Sequence, residues 1–315
     1  NDRRVRQPGR ITPAFIGDGG KRAQQQAQRQ QNRGTAWIDK HRGKSSEDKL
    51  EIGLAIAAFY QHDRPGESPL DAVYVTLISV KNNEHVTANL TAIRGQIDDV
   101  ARQAGRDPNE VRLIAVSKNH PAEAVAAAVA AGQRHFGEST IQDASGKISR
   151  FANAGLTWHF IGNLQSNKAK FLPGNFHWWH SLNSVKLAER VSRLAVEQSL
   201  VIDSLIEVNI TGDPAKHGVS PDALDTLLDE LLKKQMPGIR LRGLMGIGPH
   251  PASELEIRSA FAALRELRDA VRVRHALPDF SELSMGMSGD YVEAIREGST
   301  MVRIGTAIFG ERDYR

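Results

Sequence analysis

Eight short apolar runs alternate with amphipathic stretches between residues 112 and 304, and this alternation constrains the fold more than any other feature of the chain. Short apolar runs bounded by turn residues are typical of strands buried on both faces, and the stretches between them have a helical period. Eight strands with alternating helices in about 230 residues is the length of a (β/α)8 barrel. The sequence therefore predicts an α/β protein with a single TIM-type barrel, and a doubly wound sheet is the alternative. The predicted strands are 112–117, 134–136, 158–161, 176–180, 204–208, 241–245, 282–285 and 301–304, and the main predicted helices are 90–104, 121–131, 140–151, 185–198, 221–234, 253–273 and 288–297.

The first 85 residues lack this pattern. Residues 1–49 are rich in Gly, Arg and Gln without a sustained apolar period, so we expect them to be disordered. A short helix over 50–60 and a strand over 72–80 are the elements that this region could form. The first methionine is Met236, and a clean amphipathic helix begins at Val86, so we expect the biological protein to start at Val86 from an alternative start codon. The predicted organisation is an extension, 1–85, followed by the barrel, 86–315.

Charge and composition narrow the class of protein. Eleven Lys and Arg against three Asp give residues 1–44 a charge of +8, which leaves −4 of the total of +4 for the rest of the chain. The basic character therefore belongs to the first segment, and we expect no nucleic acid partner for the folded domain. No apolar stretch approaches the length of a membrane span, so we expect no membrane partner. The chain has no cysteine, which excludes disulfides and thiolate chemistry and fits a cytoplasmic location.

Lys118 ends the first apolar run, and the chain then turns through 119–121 into an alanine-rich helical stretch. This pattern predicts that a buried strand delivers one lysine to the carboxyl end of the barrel, where TIM-barrel active sites lie. An amine placed there can form a Schiff base with an aldehyde, because burial lowers the pKa of a lysine and the neutral amine is the nucleophile. An ordinary solvated lysine at a strand end is the alternative.

Small and polar residues follow the last two strands, as Ser288-Gly289 and Gly305-Thr306. Glycines let backbone N–H groups approach an anion, and barrels often hold a phosphate after their last strands. Turn glycines without a ligand are the alternative. Arg303 lies on the last strand between apolar neighbours, where a charge needs a partner. That partner is either an internal carboxylate or a ring nitrogen of a bound cofactor.

Two histidines, His177 and His180, flank a pair of tryptophans on the fourth predicted strand. Core packing explains them better than metal binding does.

Five longer motifs occur in order between Val86 and Tyr314, at 115–118, 135–138, 158–168, 283–288 and 298–310. Their sequences are AVSK, HFGE, WHFIGNLQSNK, LSMGMS and GSTMVRIGTAIFG. Together they resemble the YggS/PROSC family of pyridoxal phosphate homeostasis proteins. No segment before Val86 resembles the family.

The resemblance implies a barrel like the N-terminal domain of alanine racemase, with pyridoxal 5′-phosphate as the cofactor. Lys118 would hold the cofactor as a Schiff base, and Arg303 would face its pyridine nitrogen. The chain departs from the family at Ser139-Thr140, where Asn-Tyr is common, so Ser139 would donate to the cofactor over a shorter reach. The other residues that the resemblance assigns to cofactor binding are Ser288, Gly289, Gly305, Thr306 and Met245.

The function that the resemblance implies is a cytoplasmic protein that buffers pyridoxal phosphate or delivers it to dependent apoenzymes, without efficient turnover. Lys216 matches a second family lysine that would accept or pass on the aldehyde, and an ordinary loop lysine is the alternative. An amino-acid racemase is the rival function, but it needs a second acid or base, and no tyrosine of this chain stands in a racemase motif. A Schiff-base aldolase is a third possibility, although those enzymes usually carry the lysine on a later strand than the first.

Overall fold

The computed structural model describes residues 69–311, with side chains from residue 84 onward. It contains eight strands that alternate with helices and close into a single parallel barrel, as the sequence predicts. The strands are β1 (Arg112–Val116), β2 (His135–Glu138), β3 (Thr157–Phe160), β4 (Trp178–Leu182), β5 (Ile202–Val208), β6 (Ile239–Gly246), β7 (Glu282–Ser284) and β8 (Met301–Ile304). The α-helices are α1 (Pro69–Gln103), α2 (Ala122–Ala130), α3 (Ile141–Arg150), α4 (Val185–Val196), α5 (Leu224–Lys233), α6 (Glu254–Arg274), α7 (Tyr291–Arg296) and α8 (Thr306–Phe309), and three 3-10 helices cover Pro108–Glu110, Ser166–Phe171 and Pro221–Ala223.

Alternate residues of each strand point to opposite faces of the barrel wall. On β1, Leu113 and Ala115 belong to the large outer core between the strands and the helices, whereas Ile114 points inward. The inward side chains form a second, smaller hydrophobic cluster that fills the barrel. Its members are Ile114, Trp178, Leu205, Met245 and Met301.

Helix α1 begins earlier than the sequence predicts. Its buried side chains, from Val86 to Val100, recur every three or four residues and join the outer core, as expected of an amphipathic helix. The helix already starts at Pro69, so the strand predicted over 72–80 is wrong. Proline suits the first turn of a helix, and no Gly or Pro interrupts residues 70–94, so the β-branched residues there do not prevent a helix. The helix predicted over 50–60 lies outside the described residues.

The described residues from 78 onward belong to one compact unit, which contains the barrel. Within the described span, no helix combines the length and apolar character that crossing a membrane requires.

Gly243 marks a close approach between β6 and β7. Its φ is +152°, and a Cβ built on it would lie 1.9 Å from the carbonyl oxygen of Glu282, opposite it in the strand pairing. Because that oxygen belongs to the backbone of the neighbouring strand, it cannot move aside without disturbing the barrel.

We predict that Gly243→Ala lowers the free energy of unfolding by about 3 kcal/mol or more, since both the conformation and the space exclude a side chain. The matched control is Gly146→Ala, on the exposed face of α3, where an added Cβ meets no atom within 4 Å. That change should raise stability by about 0.5 to 1 kcal/mol. Urea unfolding of both variants provides the measurement, and equal midpoints for Gly243→Ala and the parent chain would contradict the close approach.

Candidate functional site

Lys118 lies where the sequence places it, two residues beyond β1 at the carboxyl end of the barrel. The strand before it is buried from Leu113 to Val116, and Ser117 is buried as well. The Lys118 side chain is half-buried, so it leaves the barrel wall at the edge of the interior. The buried strand β1 therefore places the Lys118 side chain at the carboxyl end of the barrel.

A buried polar network holds the backbone just before Lys118. Lys147, on α3, donates from Nζ to the carbonyl of Ser117 at 2.7 Å and to Oε1 of Glu138 at 2.9 Å. The Ser117 hydroxyl donates to the same carboxylate oxygen at 2.6 Å. Burial raises the pKa of Glu138 to about 7, although the Lys147 charge and these hydrogen bonds act to lower it. Among the described residues, the other carboxyl oxygen, Oε2, has no hydrogen-bond partner.

The same network also holds the backbone just after Lys118. Asp143 lies 2.9 Å from Lys147 Nζ through Oδ1, and its Oδ2 accepts the backbone N–H of Asn119 at 2.7 Å. Asn119 has a φ of 61°, a left-handed conformation that asparagine tolerates better than most residues. Burial on its own would raise the pKa of Asp143, but the Asn119 N–H and the Lys147 ammonium lower it overall. The peptide units on both sides of Lys118 are therefore fixed.

Arg303 is buried inside the barrel, with 5% of its surface exposed. Its Nη1 donates to the carbonyl and to the hydroxyl of Ser284, both at 2.7 Å, and its Nη2 donates to the carbonyl of Gly246 at 3.1 Å. Burial lowers the pKa of Arg303 to about 10, and nearby acidic groups act in the opposite direction. The guanidinium therefore remains charged at neutral pH, and these three contacts use three of its five N–H groups.

The turns after β7 and β8 meet at the same end of the barrel. Ser288 Oγ lies 3.5 Å from the backbone N–H of Ala307, one residue beyond Gly305-Thr306. A Cβ on Gly305 would lie 3.1 Å from the carbonyl of Val116, so this turn also borders the end of β1, while Gly289 faces open space. The structure thus gathers two hydroxyls and two glycines beside the strand that carries the lysine.

The helix predicted over 288–297 begins only at Tyr291, so Ser288 and Gly289 lie in the turn before it. The reason is local: the Asp290 carboxylate accepts the backbone N–H of Met287 at 2.6 Å, which tightens the turn ahead of the helix.

Ser139 and Met245 occupy different depths. Ser139 follows β2 at the carboxyl end and is half-buried, and its carbonyl packs so closely on Gly162 that a Cβ there would lie 2.0 Å away. Met245 is buried in the hydrophobic cluster inside the barrel, next to the glycine whose carbonyl accepts from Arg303. Ser139 is therefore a neighbour of the barrel mouth, and Met245 lies below it.

Lys216, in the loop after β5, is half-buried and donates from Nζ to the carbonyl of Gly248 at 2.9 Å. Glu207, at the end of β5, is 6% exposed, and its Oε2 has no hydrogen-bond partner among the described residues. Burial raises the pKa of Glu207. A buried carboxyl oxygen without a partner marks space for a ligand or for water near the barrel mouth.

Sequence reasoning did not single out His159 and assigned His180 to core packing, whereas hydrogen bonds connect both histidines to Arg303 through Ser284. His159 and His180 are completely buried inside the barrel, and both are hydrogen-bonded. One signal could have found His159: it stands between Trp158 and Phe160, whose side chains belong to the outer core, so the alternation of side chains along the strand points the histidine inward.

Comparison with known proteins shows which family this chain is similar to. A family model described as alanine racemase, N-terminal domain, matches residues 88–313. The pyridoxal phosphate homeostasis protein of Pseudomonas aeruginosa is 44% identical over 230 residues, which cover 73% of this chain and 96% of the relative. The protein of the same name from Escherichia coli is 41% identical over 233 residues, covering 73% and 97%.

Solved structures are similar to this chain as well. PipY of Synechococcus elongatus, in a structure with PLP bound, has a TM-score of 0.63 and 37% identity, covering 71% of this chain and all of PipY, 100%. An alanine racemase of Clostridium difficile, in complex with cycloserine, has a TM-score of 0.57 at 12% identity, covering 72% of this chain and 60% of the racemase. That second likeness shows the barrel fold alone. The chain belongs to the family of pyridoxal phosphate homeostasis proteins, which is built on the alanine racemase N-terminal domain.

Proposed function

We propose that this chain binds pyridoxal 5′-phosphate through Lys118 at the carboxyl end of the barrel and buffers or delivers it, in the cytoplasm, to dependent apoenzymes. The observation that carries the proposal is the convergence of one lysine, one buried arginine and two hydroxyl- and glycine-containing turns at one end of the barrel. The family relationship supplies the identity of the cofactor.

The residues present fit the cofactor. When bound, pyridoxal phosphate supplies an aldehyde for an amine, a ring nitrogen that accepts a hydrogen bond, and a phosphate. Lys118 supplies the amine, with its flanking peptides held by the Lys147 network. Ser288 and Thr306 supply hydroxyl donors, and the open space at Gly289 leaves room for an anion. Ser139, at the barrel mouth, and Met245, in the wall beneath it, complete the proposed set.

The charge of Arg303 favours a carrier over an enzyme. A guanidinium that stays protonated donates a hydrogen bond to a ring nitrogen but does not readily give up a proton, so the ring remains a poor electron sink. Among the described side chains Tyr291 is the one tyrosine, and its hydroxyl donates to Gln96 on α1 at 2.6 Å. It is therefore engaged with a helix rather than with the barrel mouth, where racemisation would need a second acid or base.

We also propose that the cofactor-binding domain comprises residues 86–315. The family match begins at residue 88. Val86 is buried in the outer core, whereas the two residues before it are exposed.

We predict that borohydride reduction of the purified protein attaches the cofactor to Lys118, which peptide mass spectrometry would locate. Lys118→Ala should abolish the attachment because it removes the amine. Lys170→Ala is the control, since Lys170 is an exposed lysine of the 3-10 helix Ser166–Phe171. Attachment to a different lysine in the unsubstituted protein would show that the assignment is wrong.

Removal of both hydroxyls, in Ser288→Ala with Thr306→Ala, should weaken cofactor binding while leaving the visible absorbance of the bound form unchanged. Each change deletes one hydrogen bond to a charged group, worth roughly 1.5 to 3 kcal/mol. Equilibrium dialysis of cofactor against apoprotein gives the affinity. Thr91→Ala, on the exposed face of α1, is the control, and unchanged affinity in the double variant would rule out this phosphate site.

The carrier function itself predicts transfer without turnover. Loaded protein mixed with an apo-aminotransferase should restore the aminotransferase activity. Loaded protein incubated with L-alanine in deuterium oxide should show negligible α-proton exchange and no change of chirality, for want of an electron sink and a second acid or base. Racemisation at about 1 per second or faster, in the range of ordinary enzymes, would favour the racemase instead.

A further inference from the structure

Three histidines and one serine form a continuous series of hydrogen bonds inside the barrel, which we call the histidine chain: His135, His159, His180 and Ser284. His135 Nδ1 lies 3.1 Å from His159 Nε2, and His159 Nδ1 lies 2.9 Å from His180 Nε2. His180 Nδ1 lies 2.9 Å from Ser284 Oγ, which in turn accepts from Arg303 Nη1 at 2.7 Å. The histidine chain therefore runs from the first residue of β2, across β3 and β4, to the guanidinium on β8.

The imidazoles of the histidine chain are neutral. Burial lowers the pKa of His159 and of His180 well below the usual value, and nearby cationic groups act in the same direction. For His135, burial and then the charge of Arg112 lower the pKa to about 4. Each ring therefore carries one N–H and one bare nitrogen at neutral pH, so each can donate one hydrogen bond and accept one.

Arg303 determines the direction in which the hydrogen bonds of the histidine chain are donated. A guanidinium only donates, so the Ser284 hydroxyl accepts from it and keeps its own proton for another acceptor. Among the described residues the contact in reach of that proton is His180 Nδ1. His180 then carries its proton on Nε2 and donates to His159, which carries its proton on Nε2 and donates to His135. One fixed donor thus sets the tautomer of three rings.

The same contacts exclude a metal centre in the histidine chain. Two nitrogens that share a tetrahedral zinc at 2.0–2.1 Å lie about 3.4 Å apart, farther than the 2.9 and 3.1 Å found between these rings. No group of His, Asp or Glu in the described part of the chain converges as metal ligands do.

We propose that His180 is a positioning residue: with its proton on Nε2, it holds the Ser284 hydroxyl toward Arg303 and so fixes the guanidinium that faces the cofactor ring. The part of this inference that concerns the ring rests on the proposed function, whereas the tautomers belong to the protein alone. The carbonyl and the hydroxyl of Ser284 both accept hydrogen bonds from the same guanidinium nitrogen, Nη1 of Arg303. If His180 no longer accepts this hydrogen bond, the buried proton of the Ser284 hydroxyl has no partner, which is unfavourable. The serine side chain can find another acceptor only by rotating, and rotation would break its hydrogen bond with Arg303.

The first test uses the apoprotein with ¹⁵N-labelled histidine. Long-range nitrogen–proton correlation spectra should show the Nε2–H tautomer for His159 and His180, and Ser284→Ala should convert His180 into a mixture because the donor to Nδ1 is gone. An Nδ1–H tautomer at either ring in the unsubstituted protein would overturn the proposed direction. This result does not depend on whether the protein binds pyridoxal phosphate.

The second test measures cofactor affinity by equilibrium dialysis. His180→Phe should lower the affinity about tenfold, the effect of losing one buried hydrogen bond. His180→Asn should restore it to within about threefold, because the asparagine carbonyl oxygen stands where Nδ1 stood and can accept from Ser284. His177→Phe is the control, since His177 contacts the backbone N–H of Trp158 outside the histidine chain.

A folded His180→Phe with unchanged affinity would overturn the positioning role. If that variant does not fold, Ser284→Ala replaces it: the same loss of affinity is expected, and unchanged affinity would again overturn the role. A protein that binds no pyridoxal phosphate in any form, yet shows the expected tautomers, would refute the proposed function and leave the direction of the histidine chain standing.

Discussion

The pairing of β1 with β8 is the interaction on which the candidate site depends. Leu113 lies opposite Val302 in this pairing, and it closes a sheet whose first and last strands are far apart in sequence. Closure brings the turn at Gly305 against the carbonyl of Val116, two residues before Lys118. In an open sheet with the same strands in the same order, the lysine and the last turn would lie at opposite edges.

Closure also creates a dry interior in which a cation must be accommodated. A buried, unpaired charge is costly, and the barrel meets this cost for Arg303 with backbone carbonyls and a hydroxyl rather than with a directly bonded carboxylate. The acceptors come from β6 and β7, the two strands that precede β8 in the barrel, so the guanidinium ties three consecutive strands together. Arg303, which we propose to face the cofactor ring, therefore also helps to hold these strands of the barrel wall in register.

The fold could be predicted because strands that are buried on both faces consist of consecutive apolar residues, which are recognisable in the sequence. β8 was predicted with its observed bounds, Met301–Ile304, whereas β2 extends to Glu138, past the predicted end at 136, because its last two residues are not apolar. The strand predicted over 72–80 failed because local β-branched composition says little about a helix without breakers. Lys118 and Arg303 could be singled out because one charge ends an apolar run and the other interrupts one; the structure places Lys118 just beyond β1 and buries Arg303 within β8. The contacts between His159, His180 and Ser284 join residues 21 and 104 positions apart, and no local pattern encodes such distances.

The buried carboxyl group of Glu138 links the folding of this barrel to proton uptake. Its pKa is raised from 4.5 to about 7 by burial, so between these values the folded chain holds a proton that the unfolded chain has released. The contribution of this group to stability is therefore most favourable below about pH 4.5 and declines as the pH rises to about 7, the opposite of the usual behaviour of a salt-bridged carboxylate. Because Ser117 and Lys147 share Glu138 as a partner, the electrostatic surroundings of the backbone beside Lys118 change as this carboxyl group gains or loses its proton.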